Sequence, residues 1–247
     1  MAATTAAIIA CGAFLGGFVS GLAGFGTGLV ALGIWLHAVP PTLAAPLVII
    51  CSVISQSQTI PAIWHAIYFR RIWPMLAAGV LGVPVGINLL GHVDPDAFRF
   101  GTGVLLIVFS SVMLIGRTRM TIQGGGRIAD AAIGFGGGVL GGMAGLSGPL
   151  PTMWATLRGW SKDQRRGVFQ AYNLIVLSAS LVLHAAEGLL TREVGWLLLW
   201  ALPGTLSGAW MGAFAYRRLS DHHFHQLVLC LLGISGLTLV WPSVLGK

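Results

Sequence analysis

Gly137-Gly138-Val139-Leu140-Gly141-Gly142-Met143-Ala144-Gly145-Leu146-Ser147-Gly148-Pro149-Leu150-Pro151 is too apolar to lie outside a membrane and too rich in helix breakers to cross one as a single regular helix. The stretch has a twin 121 positions earlier, Gly16-Gly17-Phe18-Val19-Ser20-Gly21-Leu22-Ala23-Gly24-Phe25-Gly26-Thr27-Gly28. Gly16/Gly137, Gly17/Gly138, Gly21/Gly142, Ala23/Ala144 and Gly24/Gly145 are identical between the two. One half of the chain therefore copies the other, and each copy opens on an interrupted hydrophobic element.

Outside these breaks the composition is that of a membrane protein. Of 247 residues, 55% are apolar and 9% charged, and the mean hydropathy is +0.84, so water is the wrong solvent for most of the chain. Apolar runs of about 20 residues, continuous rather than alternating, indicate helical spans and exclude a β-barrel. The net charge of +7 does not indicate nucleic acid, because the basic residues sit in short loops between spans. Cys11, Cys51 and Cys230 each stand alone in an apolar run and read as small core residues, with neither disulfide nor metal spacing. No basic segment precedes the first apolar run, so no cleaved leader is expected.

The order of elements repeats. A broken element over 5–36 is followed by spans at 42–63, 73–90 and 98–115. A linker over 116–127 leads to a second broken element over 130–157 and to spans at 167–186, 195–215 and 223–241. Counting basic residues selects a topology. Eight plain spans in parallel repeats would put Arg117, Arg119 and Arg127 on the opposite face from Arg158, Lys162, Arg165 and Arg166. If each broken element instead enters and leaves on one face, those seven join Arg70, Arg71, Arg217 and Arg218 on the cytoplasmic side. Only Arg99, Arg192 and Lys247 are left outside. A 32-residue element gives about 48 Å of helix, short of the roughly 60 Å of two crossings, so two shortened helices meeting inside the bilayer are expected. The fold class expected is thus an all-α polytopic membrane protein in one integral domain. It has two inverted-topology repeats (5–115 and 128–241), each a re-entrant helical hairpin plus three transmembrane helices, with both termini outside.

Irregular backbone at membrane depth is tolerated only where it is buried in protein or lines a polar cavity, so the paired breaks point to a site. The second arm of each hairpin should begin near Gly26-Thr27-Gly28 and Gly148-Pro149. There the free N–H groups and the helix dipole attract an anion without any buried Lys or Arg. The candidate binding residues are Gly24, Phe25, Gly26, Thr27 and Gly28 in one break and Gly145, Leu146, Ser147, Gly148 and Pro149 in the other. Ser52, Ser55, Gln56 and Thr59, and Gln170, Tyr172, Asn173 and Ser178, could complete the cradle from the following spans. Arg166, Gln170 and Asn173 share one helical face, which makes Arg166 the candidate point of anion access. Each amide or hydroxyl taken singly could equally be an interhelical hydrogen bond, and the pairs Gly82/Gly86 and Gly208/Gly212 read as close helix packing.

No carboxylate falls at the centre of a span, which excludes a buried acid for protons or sodium. His37, His65 and His184 lie near span ends. Asp221-His222-His223-Phe224-His225 has the composition of a metal tract but sits where a solvated helix cap is expected, and no cofactor or metal is expected.

The repeated Gly-Leu-Ala-Gly-Phe-Gly-Thr-Gly and Gly-Met-Ala-Gly-Leu-Ser-Gly-Pro motifs, each after a glycine-rich apolar run, resemble those of the sulfite exporter TauE/SafE family. The resemblance covers essentially the whole chain. It implies a carrier of the bacterial inner membrane for sulfite, sulfonates or related organosulfur anions, exporting by alternating access, with lipid around it and a second copy of the chain as a candidate partner. An anion-selective channel is the first alternative. A membrane-embedded enzyme or assembly factor is the second, opposed by the lack of any nucleophile–base pairing or HExxH-like motif. A transition-metal permease would need His, Cys or carboxylate ligands inside the spans.

Overall fold

The computed structural model describes residues 3–60, 69–115, 125–160 and 162–216, with single positions between 229 and 241; the side chains at 69–71, 115, 162–166 and 216 lie outside that description. The described residues form helices and no strand: α1 (Ala3–Ala23), α2 (Thr27–Trp35), α3 (Pro41–Thr59), α4 (Phe69–His92), α5 (Pro95–Ile115), α6 (Gly126–Ala144), α7 (Pro149–Leu157), α8 (Lys162–Ala186) and α9 (Arg192–Tyr216). The positions described between 229 and 241 are helical as well. Six of these helices are long and apolar enough to cross a membrane, so the chain is a multi-pass membrane protein.

Local chemistry explains the boundaries. Prolines open α3, α5 and α7, at a position whose N–H would be unpaired in any case. Asp94 caps α5, its Oδ1 accepting the N–H groups of Asp96 (2.9 Å) and Ala97 (3.1 Å), and so starts that helix three residues before the expected Phe98. Two expectations need correction. The arms of each broken element are unequal: α1 has 21 residues, about 31 Å, and α2 only 9, about 13 Å, as has α7 against the 19 of α6. The first arm runs on to Gly24 at φ +79° and Gly145 at φ +68°, just before the positions expected to open the second arm, so only the second arm is shortened. Cys11 is exposed on the apolar outer surface and only Cys51 is a core residue; Cys230 lies outside the described residues, as do His65 and Asp221–His225.

Each short arm folds back along its long arm. Gly16 lies against Ala31 and the Thr27 carbonyl, and the Trp35 indole covers Gly12 and donates to the Ile9 carbonyl at 3.1 Å. In the second element Gly137 lies against Pro151 and the Ser147 carbonyl, and the Trp154 indole donates to Asp130 at 2.7 Å. The two elements point oppositely along α5. Burial, and then the Arg99 guanidinium at the start of α5, hold His37 in the turn after α2 below the ordinary imidazole range. At the other end of α5, Met113 Sδ accepts a hydrogen bond from Thr156 at the end of α7, 3.7 Å away.

The long arms are held by the opposite half. α1 packs most extensively on α9, and α6 on α4. A Cβ at Gly17 would stand 2.6 Å from the Thr205 carbonyl oxygen, and one at Gly138 would meet the Gly79 carbonyl. Gly21 meets Ala209 as Gly142 meets Val83, and the reciprocal set holds: Gly208 and Gly212 lie on the carbonyls of Phe14 and Phe18, Gly82 and Gly86 on those of Phe135 and Val139. A shift of 121 positions on one helix and 126 on the other carries each contact onto its counterpart. Only glycine lets the backbones approach this closely.

A test follows from these contacts. Gly138→Ala, whose methyl has no room, is expected to destabilise the protein by about 1–3 kcal/mol or more, whereas Gly91→Ala, which meets nothing within 4 Å, is expected to change it little. Thermal melts of the two variants in one detergent check the contrast.

Candidate functional site

Both breaks meet in the interior. A Cβ at Gly28, in the first turn of α2, would lie 2.8 Å from the Gly145 carbonyl oxygen and 3.2 Å from Leu146. Gly148 faces the Asn173 amide and the Phe25 ring. Between them is a small pocket, with about 240 Å³ of space between its lining atoms, open solvent included. Phe25, Gly26, Thr27 and Gly28 line it from one break and Gly145, Leu146, Ser147, Gly148 and Pro149 from the other, with Ser52 and Gln56 of α3 and Asn173 of α8. Each of these was legible in the sequence. Leu29 and Leu177, which also line it, were not, although Leu177 lies one helical turn beyond Asn173 on the same face.

The other candidates stand apart from the lining. Gly24 packs against the Gln170 side chain, which itself donates to Thr59 Oγ1 at 2.9 Å, so this pair braces the first break from behind. Tyr172 turns away, its hydroxyl donating to the Gly134 carbonyl, because it fills the crevice left by Gly79 and Gly137. Ser178 does not line the pocket, and the Arg166 side chain lies outside the described residues.

The turn at the first break requires glycine, with Gly24 at φ +79° and Gly26 at φ +109°. Gly26 has no side chain to cap α2, and the first backbone bond into that helix is Val30 N–H to the Gly26 carbonyl, so the N–H groups of Thr27, Gly28 and Leu29 have no backbone acceptor. The second break offers fewer donors than expected. Pro149 and Pro151 carry no N–H and Thr152 is bonded to Gly148, leaving Gly148 and Leu150 in the first turn of α7. The donor set is lopsided toward α2.

Hydroxyls hold the breaks in place. Ser55 Oγ lies 3.1 Å from Ser20 Oγ and 3.0 Å from Thr27 Oγ1, and donates to the Ser52 carbonyl. Across the pocket Ser147 Oγ donates to Asn173 Oδ1 at 2.6 Å. Ser52 Oγ and Gln56 Oε1 are buried in the wall without a partner. Buried polar groups left unpaired cost about 1–3 kcal/mol each, so this pocket is prepared for a polar guest. No group of three or more metal-ligating side chains occurs among the described residues.

The model of the sulfite exporter TauE/SafE family matches residues 8–239. The chain belongs to that family. Comparison with curated proteins and with solved structures returned no match. Membership makes this a protein of a membrane transporter family for sulfite, and within the TauE/SafE frame the matched region takes in both breaks, α3 and α8.

Ser55→Ala is expected to cost about 1–3 kcal/mol, since it strips a partner from both Ser20 and Thr27. Ser57→Ala, on the exposed face of the same helix, is the control, and denaturant-dependent melts of both read the difference.

Proposed function

We propose that the protein is a carrier for small sulfur oxyanions, sulfite first among them, which binds the anion between the two breaks and exposes it alternately to either side. One observation carries the reading. Two interrupted helices, related by the internal repeat, bring N–H groups and unpartnered side-chain atoms to one pocket, with no cation among its described lining residues. Such a cradle favours a negative guest through helix-terminal amides.

The membrane arrangement in this reading is a pair of inverted repeats in one domain, each with a re-entrant hairpin. The opposite placement of His37 and Thr156 along α5 supports it. So does charge. The first turns of α4, α6 and α8 and the end of α7 fall at one end of the molecule and carry Arg70, Arg71, Arg127, Arg158, Lys162, Arg165 and Arg166, against Arg99 and Arg192 at the other. By the positive-inside rule the first end faces the cytoplasm of a bacterial inner membrane and both termini face outward. With the cytoplasm negative by about 100 mV, each exported negative charge gains about 2.3 kcal/mol, so export needs no coupling ion. Phe25, which lines the pocket, packs its ring edge-on against Phe109 (6.0 Å) and Phe169 (5.7 Å).

In proteoliposomes the wild type is expected to show saturable sulfite flux stimulated by sulfite on the opposite side, and a melting point raised by sulfite. Gly148→Trp, which fills the space beside Asn173, is expected to insert normally and lose both effects. Counterflow that persists in this variant removes the pocket from the mechanism, and currents far above carrier turnover replace the carrier with a channel.

A further inference from the structure

Beyond the pocket, α8 carries a second polar feature. Gln170, Asn173, Leu177, Ser180 and His184 follow one another at alternating intervals of three and four residues, so they form one seam along the helix. All five are at most 2% exposed. Asn173 and Leu177 line the pocket, and the seam ends at His184, about 16 Å further along, one turn inside the end of α8. His184 Nδ1 lies 2.9 Å from the Ser180 carbonyl oxygen, which can only accept, so Nδ1 carries the proton and Nε2 is a bare lone pair. Ser180 Oγ in turn donates to the Gly141 carbonyl of α6 at 3.3 Å. Nε2 is buried with no partner.

We propose that His184 is a proton-binding site whose occupancy is linked to conformation: neutral, it locks the end of α8 against α6, and protonated, it releases it. The elements packed on α8 bring no compensating charge to the ring. Their titratable side chains are Cys51 on α3, Arg70, Arg71 and His92 on α4, and Arg127 and Asp130 on α6, with none on α7; Glu187, just beyond α8 itself, is exposed. His92 and Arg127 are exposed and Asp130 is bonded to Trp154. Arg192 and Glu193, which open α9, are exposed. None is within bonding distance of His184, whose only hydrogen-bond partners are in Ser180. A proton added at Nε2 therefore places an uncompensated charge in a dry interior. The conformation in which the imidazolium reaches water binds the proton better, and acid shifts the population toward it. Stability of the closed end is present above the ordinary histidine range and is lost as pH falls through it.

Hydrogen exchange of the full-length protein in nanodiscs tests this without any substrate. Between pH 6.5 and 5.5, after correction for intrinsic rates, opening of the 180–186 amides is expected to rise about fivefold in the wild type and to stay constant in His184→Gln. An unchanged wild-type rate, or an equal rise in the variant, overturns the proposal. Should His184→Gln fail to fold, His184→Asn takes its place, and a persistent pH response there has the same force. The pH profile of sulfite counterflow, which rests on the proposed carrier function, is expected to flatten in the same variant. PH-dependent exchange without counterflow in the wild type would leave the proton site standing and remove the transport reading instead.

Discussion

A backbone break at membrane depth must find partners for its own N–H and C=O groups, because lipid supplies none. Most of this architecture answers that demand. The carbonyl of Gly26 is taken by Val30 and that of Gly141 by Gly145, while Ser20, Ser55 and Thr27 share one hydroxyl cluster beside the first break. What is left over is a small set of N–H groups facing the same space from two sides. The pocket is thus the remainder of a satisfaction problem that the rest of the chain solves, and the anion preference proposed for it follows from which groups remain.

Glycine then fixes the scaffold around that remainder. Without a hydrophobic force between helices in lipid, close backbone contact and dispersion hold them together. The two most extensive crossings, α1 on α9 and α4 on α6, in which glycines of each helix seat on carbonyls of the other, both join a long hairpin arm to a span of the other half. Each hairpin is therefore carried by the half to which it does not belong in sequence. In the proposed carrier, a rigid rotation of one half against the other would drag the opposing hairpin with it, and the shared pocket would lie where that motion concentrates.

The repeat, the helical class, the membrane habit and twelve residues of the pocket wall could be read from the sequence, because they rest on strong local signals: glycine spacing, hydropathy and an offset of 121. What escaped depended on tertiary geometry. That Cys11 lies on the outer surface while Cys51 is buried depends on which face of α1 packs on α9, and the apolar run before Gly24 does not mark that face. Tyr172 carries the same polar signal as Asn173, and only the hollow made by Gly79 and Gly137 decides that its hydroxyl points away. Leu29 and Leu177 line a polar pocket with apolar atoms, which no motif announces.

The choice of amides over ammonium or guanidinium groups has a kinetic meaning. A carrier must release on one side what it binds on the other, so deep binding would slow it. A buried Lys or Arg would need its own charge balanced whenever the pocket stood empty, at a cost of several kcal/mol. Helix-terminal N–H groups carry only about half a unit charge, spread over Thr27, Gly28 and Leu29, and leave a modest debt when vacant. The prolines of α7 reduce the field further on the second side. In the proposed function, a lopsided, weakly positive cradle of this kind would hold a compact anion firmly enough to exclude water and loosely enough to let it go.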